Sequence, residues 1–106
     1  MTAPAVLVSG SKQALASVQS RIEDGKALEA VEALRATLYL APDDHLARYW
    51  YCIALRAANS NAKALQQARI LWAETGSCPK DQMLSDELTT IGELRQAVEE
   101  LLEEVQ

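Results

Sequence analysis

The single histidine of this chain lies among the residues best suited to form a chemical site. His45 follows Asp43 and Asp44, and Cys52 lies seven residues later, roughly on the same face of a predicted helix. Imidazole, carboxylate and thiol groups can bind zinc or exchange protons, but such sites normally need three or four converging groups held by further contacts. Carboxylates just before a helix usually cap its free N–H groups instead. The sequence therefore predicts a helix cap, with no catalytic residue, metal site or cofactor, and hence no enzyme.

The two cysteines also carry no evident chemistry. Cys52 and Cys78 are too few and too far apart for a disulfide framework, and the chain has no CxxC pair. This usage favours a reducing cytoplasm as the location. We expect Cys52 to be an inert core thiol, and we expect Cys78, beside Pro79 in a loop, to be more accessible but not activated by a base.

The charge balance restricts the partners that this chain can have. Its 106 residues, enough for one domain, carry 10 Lys and Arg against 15 Asp and Glu, a net charge of −5 without a basic cluster. Binding to nucleic acid requires a basic surface that neutralises several phosphates, so nucleic acid is excluded as a partner. The apolar run at residues 5–8 is too short for a signal peptide or a membrane span, so we expect no membrane association.

The elements that must position these residues are helices throughout. Ala and Leu supply most of the apolar content, and apolar residues recur at helical spacing. The sequence predicts a flexible N-terminal segment at residues 1–10 and a connection at 77–89. Gly25, Asn59 and Gly76 separate predicted helices. These helices cover residues 11–24, 26–41, 45–58, 62–75 and 91–105.

An internal repeat organises the first four predicted helices. The hairpins at residues 11–42 and 45–76 align at an offset of 34 residues, which pairs Gly25 with Asn59 and Ala30 with Ala64. A 34-residue period with a helix–turn–helix in each unit is the tetratricopeptide pattern. The sequence therefore predicts an all-α fold of two such hairpins, in a right-handed α-solenoid, followed by a C-terminal helix at residues 90–106.

The first helix of each repeat would line the inner surface of such a stack and form a protein-binding groove. A second interpretation remains open, in which the same residues only pack against a neighbouring helix of the chain. The run of Tyr49, Trp50 and Tyr51 points in three directions on a helix, so at least one ring should be partly exposed, and Trp50 is the candidate exposed anchor. The candidate groove residues are Lys12, Gln19, Tyr49, Ile53 and Arg56, with Leu15 and Ile22 beside them.

The C-terminal helix has two possible roles. Its apolar residues alternate spacings of three and four, which suits either a cap on the open end of the repeats or a short coiled-coil seam between two copies in a homodimer. The pairs Glu99-Glu100 and Glu103-Glu104 would form its solvated face. The seam consists of Ile91, Leu94, Val98, Leu101 and Val105.

Two stretches resemble a known family. The sequence TLYLAPD at residues 37–43, followed by Ala47-Arg48-Tyr49, and the sequence LTTIGEL at residues 88–94 resemble the tetratricopeptide region of bacterial chemotaxis receptor methyltransferases. The resemblance covers about residues 26–102 and implies a docking or regulatory module in chemosensory signalling, whose partner is a protein. The chain has no glycine-rich strand–helix turn for S-adenosylmethionine, so methyl transfer is not assigned to it. A free-standing tetratricopeptide chaperone, as for a secretion-system component, is the alternative function.

Overall fold

The computed structural model describes residues 18–84 and 89–105 and is all-helical, without a strand in these ranges. Predictions for residues 1–10, Lys12, Leu15 and Leu88 lie outside the described residues. Residues 18–23 are helical and lead into four helices. These are α1 (Ala27–Leu40), α2 (His45–Ala57), α3 (Asn61–Thr75) and α4 (Ile91–Val105).

The helix ends follow local chemistry, and the bounds of α1 to α4 lie within one residue of those predicted. Gly25 has a φ of +78° and Asn59 a φ of +63°, the left-handed conformation that ends helices and that these two residue types tolerate best. Asp44 caps α2, because its Oδ1 accepts a hydrogen bond from the backbone N–H of Ala47 at 3.1 Å. This confirms the predicted role of the carboxylate beside His45.

The start of α4 is a capping box. The backbone N–H of Thr90 donates to Glu93 Oε1 at 3.0 Å, and the backbone N–H of Glu93 donates to Thr90 Oγ1 at 3.2 Å. Each side chain thus satisfies a donor that the first turn leaves free. The preceding connection is tied to this start, because the N–H of Ile91 donates to the carbonyl of Gln82 at 2.8 Å.

Each helix packs against the next along the chain, and α4 also contacts α2. Small side chains allow these close approaches, since Ala30, Ala54, Ala64 and Ala68 are completely buried. The apolar seam predicted on α4 lies inside the chain: Ile91, Leu94, Val98 and Leu101 are buried in the core.

Two details at the edge of the core have local causes. In the connection before α4, Leu84 is buried but Met83 is 53% exposed, because neighbouring residues of an extended segment point in opposite directions. Thr75, at the end of α3, is completely buried although it is polar. Its hydroxyl donates to the carbonyl of Leu71 at 2.9 Å, which makes the burial tolerable.

Candidate functional site

Three of the predicted groove residues share one face of α2. Tyr49, Ile53 and Arg56 are spaced by four and then three residues, so they lie along one side of the helix, which we call the α2 face. Tyr49 and Ile53 are half-buried against the core, whereas Arg56 is exposed. Gln19 is exposed on the helical segment 18–23, and no observed contact joins it to the α2 face.

Tyr49 is held by its neighbours in an amphipathic setting. Its ring meets the ring of Trp50 edge-on, with centroids 5.8 Å apart and an interplanar angle of 74°. Burial, and then the negative charges of nearby groups such as Glu100 and Glu104, raise the pKa of the Tyr49 hydroxyl. The hydroxyl therefore stays protonated at neutral pH and is available as a hydrogen-bond donor at the surface.

Arg56 is not a free cation, because Glu104 of α4 forms an ion pair and hydrogen bond with its guanidinium. Both side chains remain about half exposed, at 44% and 54%. The pair joins the C-terminal turns of α2 and α4. The α2 face is thus bordered by the acidic end of α4, which the sequence interpretation had treated only as a solvated face.

Trp50, the candidate exposed anchor, is partly buried and partly exposed, like its neighbours Tyr49 and Tyr51. All three rings of the run are half-buried against the core, because α2 has packed neighbours on more than one side. Tyr51 contacts the exposed guanidinium of Arg35 on α1, and a side-chain hydrogen bond with this tyrosine raises the pKa of Arg35. The aromatic run therefore packs between helices and still keeps part of each ring at the surface.

The histidine belongs to a structural cluster at the other end of α2. His45 Nδ1 lies 3.9 Å and Arg48 Nε 3.6 Å from Glu74 Oε1. Arg48 also donates to Gln67 Oε1 at 2.6 Å and to the carbonyl of Pro42 at 3.0 Å, which ties α2 to α3 and to the end of α1. The cluster connects three parts of the fold through one guanidinium, a role for Arg48 that sequence reasoning missed.

A cavity of about 290 Å³ lies beside this cluster, between the start of α2 and the connection before α4. His45, Asp43 and Asp44 line it together with Gln82 and Leu84. Over the part of the chain that the structure describes, no three His, Cys, Asp or Glu side chains are placed to hold a metal ion.

The thiols are placed for packing. Cys52 is completely buried, and burial raises the pKa of its thiol to about 12, so that it is neutral and a poor nucleophile at physiological pH. Cys78 is half-buried, and its thiol lies 3.8 Å from the carbonyl of Glu74 as a weak donor. Neither cysteine contacts His45 in any observed interaction, so the alternative pairing of His45 with Cys52 has no support.

A surface that the sequence reasoning missed lies on the outer side of α1. Tyr39 is 86% exposed and Leu40 is 83% exposed, both at the C-terminal end of α1. Leu28, near the N-terminal end of the same helix, is 71% exposed. Tyr39 and Leu40 form an open apolar and charged patch with Glu32, Arg35 and Ala36. A signal was present: Tyr39 and Leu40 fall outside the helical spacing that places Leu34 and Leu38 in the core.

The second missed feature joins α3 to α4. The Arg95 guanidinium lies 3.7 Å from the centroid of the Trp72 ring, and its Nη1 donates to the carbonyl of Trp72 and to Thr75 Oγ1, both at 2.8 Å. A cation at the last carbonyls of a helix is favourable both as a hydrogen-bond donor and for the helix dipole. Arg95 therefore caps α3 and anchors α4 beside the α2 face.

Comparison with known proteins adds no relative to this description. A scan against protein-family models found no match, and searches of curated proteins and of solved structures found none either. Among the described residues, no helix combines the length and the apolar character needed to cross a lipid bilayer.

Proposed function

We propose that this chain is a protein-docking module that binds a polypeptide segment along the α2 face. The observation that carries the proposal is the partial exposure of Tyr49 and Ile53 on a well-packed helix. They are partly exposed on a helix that is packed on three neighbours, and so they form a firmly held amphipathic strip. Rigid tyrosine side chains with one polar end are typical anchors of protein interfaces.

The architecture proposed for this module is the tetratricopeptide arrangement. Three observations support it: the 34-residue repeat, the sequential packing of α1 to α3, and the contacts of α4 with both α2 and α3. In such a stack the helices that begin each unit share one side, so the α2 face would continue across residues 18–23 and α4. Gln19 and the Arg56–Glu104 pair would then border the same groove.

The proposed setting is bacterial chemosensory signalling, in the cytoplasm, and it rests on the family-like stretches at residues 37–49 and 88–94. The partner would be a peptide or helix of a chemoreceptor, a response regulator or a methyltransferase domain. Because Glu104 already neutralises Arg56, the α2 face favours a partner that can exchange with this carboxylate, such as an acidic side chain.

Titration calorimetry with purified candidates from these three classes tests the proposal. Binding should weaken about tenfold or more in the double variant Tyr49→Ala with Arg56→Ala, because an anchor and a cation are lost together. Arg69→Ala on α3 is the matched control, since it removes an exposed arginine from another helix. Equal affinity in the double variant and in this control would exclude the α2 face as the binding surface.

Arg56 offers a sharper test of partner chemistry. Glu104→Gln releases the guanidinium of Arg56 without changing side-chain size, so an acidic partner should bind this variant more tightly than the wild-type chain.

Copurification from the native host would distinguish the signalling setting from the chaperone setting. Chemotaxis components in the eluate support the signalling role, whereas a secreted protein would support the chaperone instead.

A further inference from the structure

We infer that the outer side of α1 is a self-association surface on which a second copy of this chain docks antiparallel to the first. The inference is separate from the α2 face, which lies on another helix. It starts from four exposed residues, Leu28, Glu32, Arg35 and Tyr39, at successive spacings of four, three and four. Residues so spaced lie in one stripe along a helix, here called the α1 stripe.

The α1 stripe is unusually apolar for a surface. Tyr39 and Leu28 are the terminal members of the stripe and expose 86% and 71% of their area, and Leu40 extends the apolar surface beside Tyr39 with 83% exposed. Scattered apolar side chains are normal at a surface, but two adjacent and largely exposed ones that include a tyrosine, here Tyr39 and Leu40, are typical of an interface. In the part of the chain that the structure describes, these three are the most exposed large hydrophobic residues.

The order of residues along the stripe indicates what covers it. An apolar residue stands at each end, and one acid and one base stand between them. When two copies of α1 are placed antiparallel about a twofold axis between residues 33 and 34, Leu28 faces Tyr39 of the second copy. In the same register Glu32 faces Arg35 of the second copy. The stripe is therefore complementary to itself in both apolar character and charge, as a twofold interface requires.

The charged residues are exposed enough to make these pairs, in addition to their attraction to each other within α1. Arg35 already has a hydrogen bond with Tyr51, but a guanidinium has five N–H donors, and this side chain is fully exposed. Glu32 is exposed as well, one turn from Arg35 on the same helix. Pairing with a second copy would therefore alternate acid and base across the interface without breaking a contact inside the chain.

The expected association is weak. A helix of 14 residues is about 21 Å long, so one pair of helices buries less surface than a standard stable interface. We expect a dissociation constant on the order of micromolar. In sedimentation equilibrium of the full chain, the average mass should rise with concentration from 11.6 kDa towards twice that value.

Charge reversal tests the register directly. Glu32→Arg and Arg35→Glu each place like charges opposite each other in the homodimer. The dissociation constant of each variant alone should therefore rise about tenfold or more. Mixed one to one, the two variants form only opposite-charge pairs, and the mixture should recover association close to that of the wild-type chain. Glu29→Arg is the matched control, because it reverses a charge on α1 outside the stripe and should change association much less.

Several outcomes would overturn the inference. A wild-type chain that stays monomeric at millimolar concentration would show that the stripe does not bind a second copy. This outcome would overturn the inference whatever else covers the stripe. Association that persists unchanged in both single variants would place the dimer elsewhere. Failure of the mixture to recover association, with both variants folded by circular dichroism, would exclude the antiparallel register.

Discussion

Two tyrosines on neighbouring helices have opposite environments. Tyr49 on α2 packs edge-on against Trp50 and is half-buried, while Tyr39 at the end of α1 is 86% exposed. The difference follows from the number of neighbours, since α2 contacts α1, α3 and α4, whereas α1 has α2 as its one partner among the four complete helices. Residue type alone therefore does not decide whether an aromatic ring supports the core or faces solvent.

The charges on the two surfaces differ in the same way. Arg56 of the α2 face is already paired with Glu104 on another helix, whereas Glu32 and Arg35 of the α1 stripe are neighbours on one helix. A partner at the α2 face must therefore exchange with an existing ion pair. A partner at the α1 stripe can add pairs without displacing any, which makes the two surfaces suited to different occupants.

The largest expected effect tests the contrast within α1 itself. Leu34→Ala removes a completely buried side chain and should lower the free energy of unfolding by about 2–5 kcal/mol, because a cavity remains in the core. Leu40→Ala makes the same chemical change on the exposed side of α1 and should change the free energy of unfolding by about 0.5 kcal/mol or less. Urea denaturation of both variants, at a concentration where the wild-type chain is monomeric, measures the difference. Similar losses would show that Leu40 is covered within the chain.

The next effect concerns the helix that borders the α2 face. Arg95→Ala removes two hydrogen bonds and the stacking on Trp72, and it leaves Thr75 Oγ1 buried with one partner fewer. We expect a loss of about 1–3 kcal/mol in urea denaturation. Arg69→Ala, an exposed arginine on α3, is the control and should have little effect. An equal, small loss in both variants would mean that α4 is held by its apolar side alone.

A third effect, on the buried side of α2, is absent at neutral pH and appears only at alkaline pH. The pKa of Cys52 is about 12 in the folded chain against 9.0 for an ordinary thiol, so the unfolded chain loses this proton first. Stability is unaffected by this group below pH 9 and should fall between pH 9 and 12, by at most about 1.4 kcal/mol per pH unit. The tyrosines titrate in the same range, so the comparison is with Cys52→Ala. Equal pH slopes for the two chains would contradict the burial of the thiol.

Much of this fold could be predicted from the sequence, because its signals are local. Gly25 and Asn59 adopt the positive φ that their types allow, and Thr90 and Glu93, three residues apart, form a capping box. The buried side of α1 follows directly from helical periodicity. Such features depend on a few adjacent residues, so the pattern of the chain determines them.

The candidate site could be predicted less well, because it depends on which helices become neighbours. The spacing of Tyr49, Ile53 and Arg56 placed them on one face, but nothing local indicated that Glu104, 48 residues later, would pair with Arg56. Helical spacing alone places Tyr39 outside the core side of α1, but the extent of its exposure also depends on which described helices pack on α1. Long-range pairings of side chains are decided by the packed structure.

The smallest expected effect on stability separates binding from folding at the α2 face. Arg56 and Glu104 are about half exposed, so solvent screens their attraction, and breaking the pair with Glu104→Gln should cost only about 0.2–1 kcal/mol. High salt should reduce even this difference. If the pair instead served mainly to hold α4, Glu104→Gln would lower the free energy of unfolding by nearly as much as Arg95→Ala does. A small loss of stability together with a clear change in partner affinity would show that Glu104 competes with the partner for Arg56. The α2 face would then be a surface on which a partner carboxylate replaces Glu104.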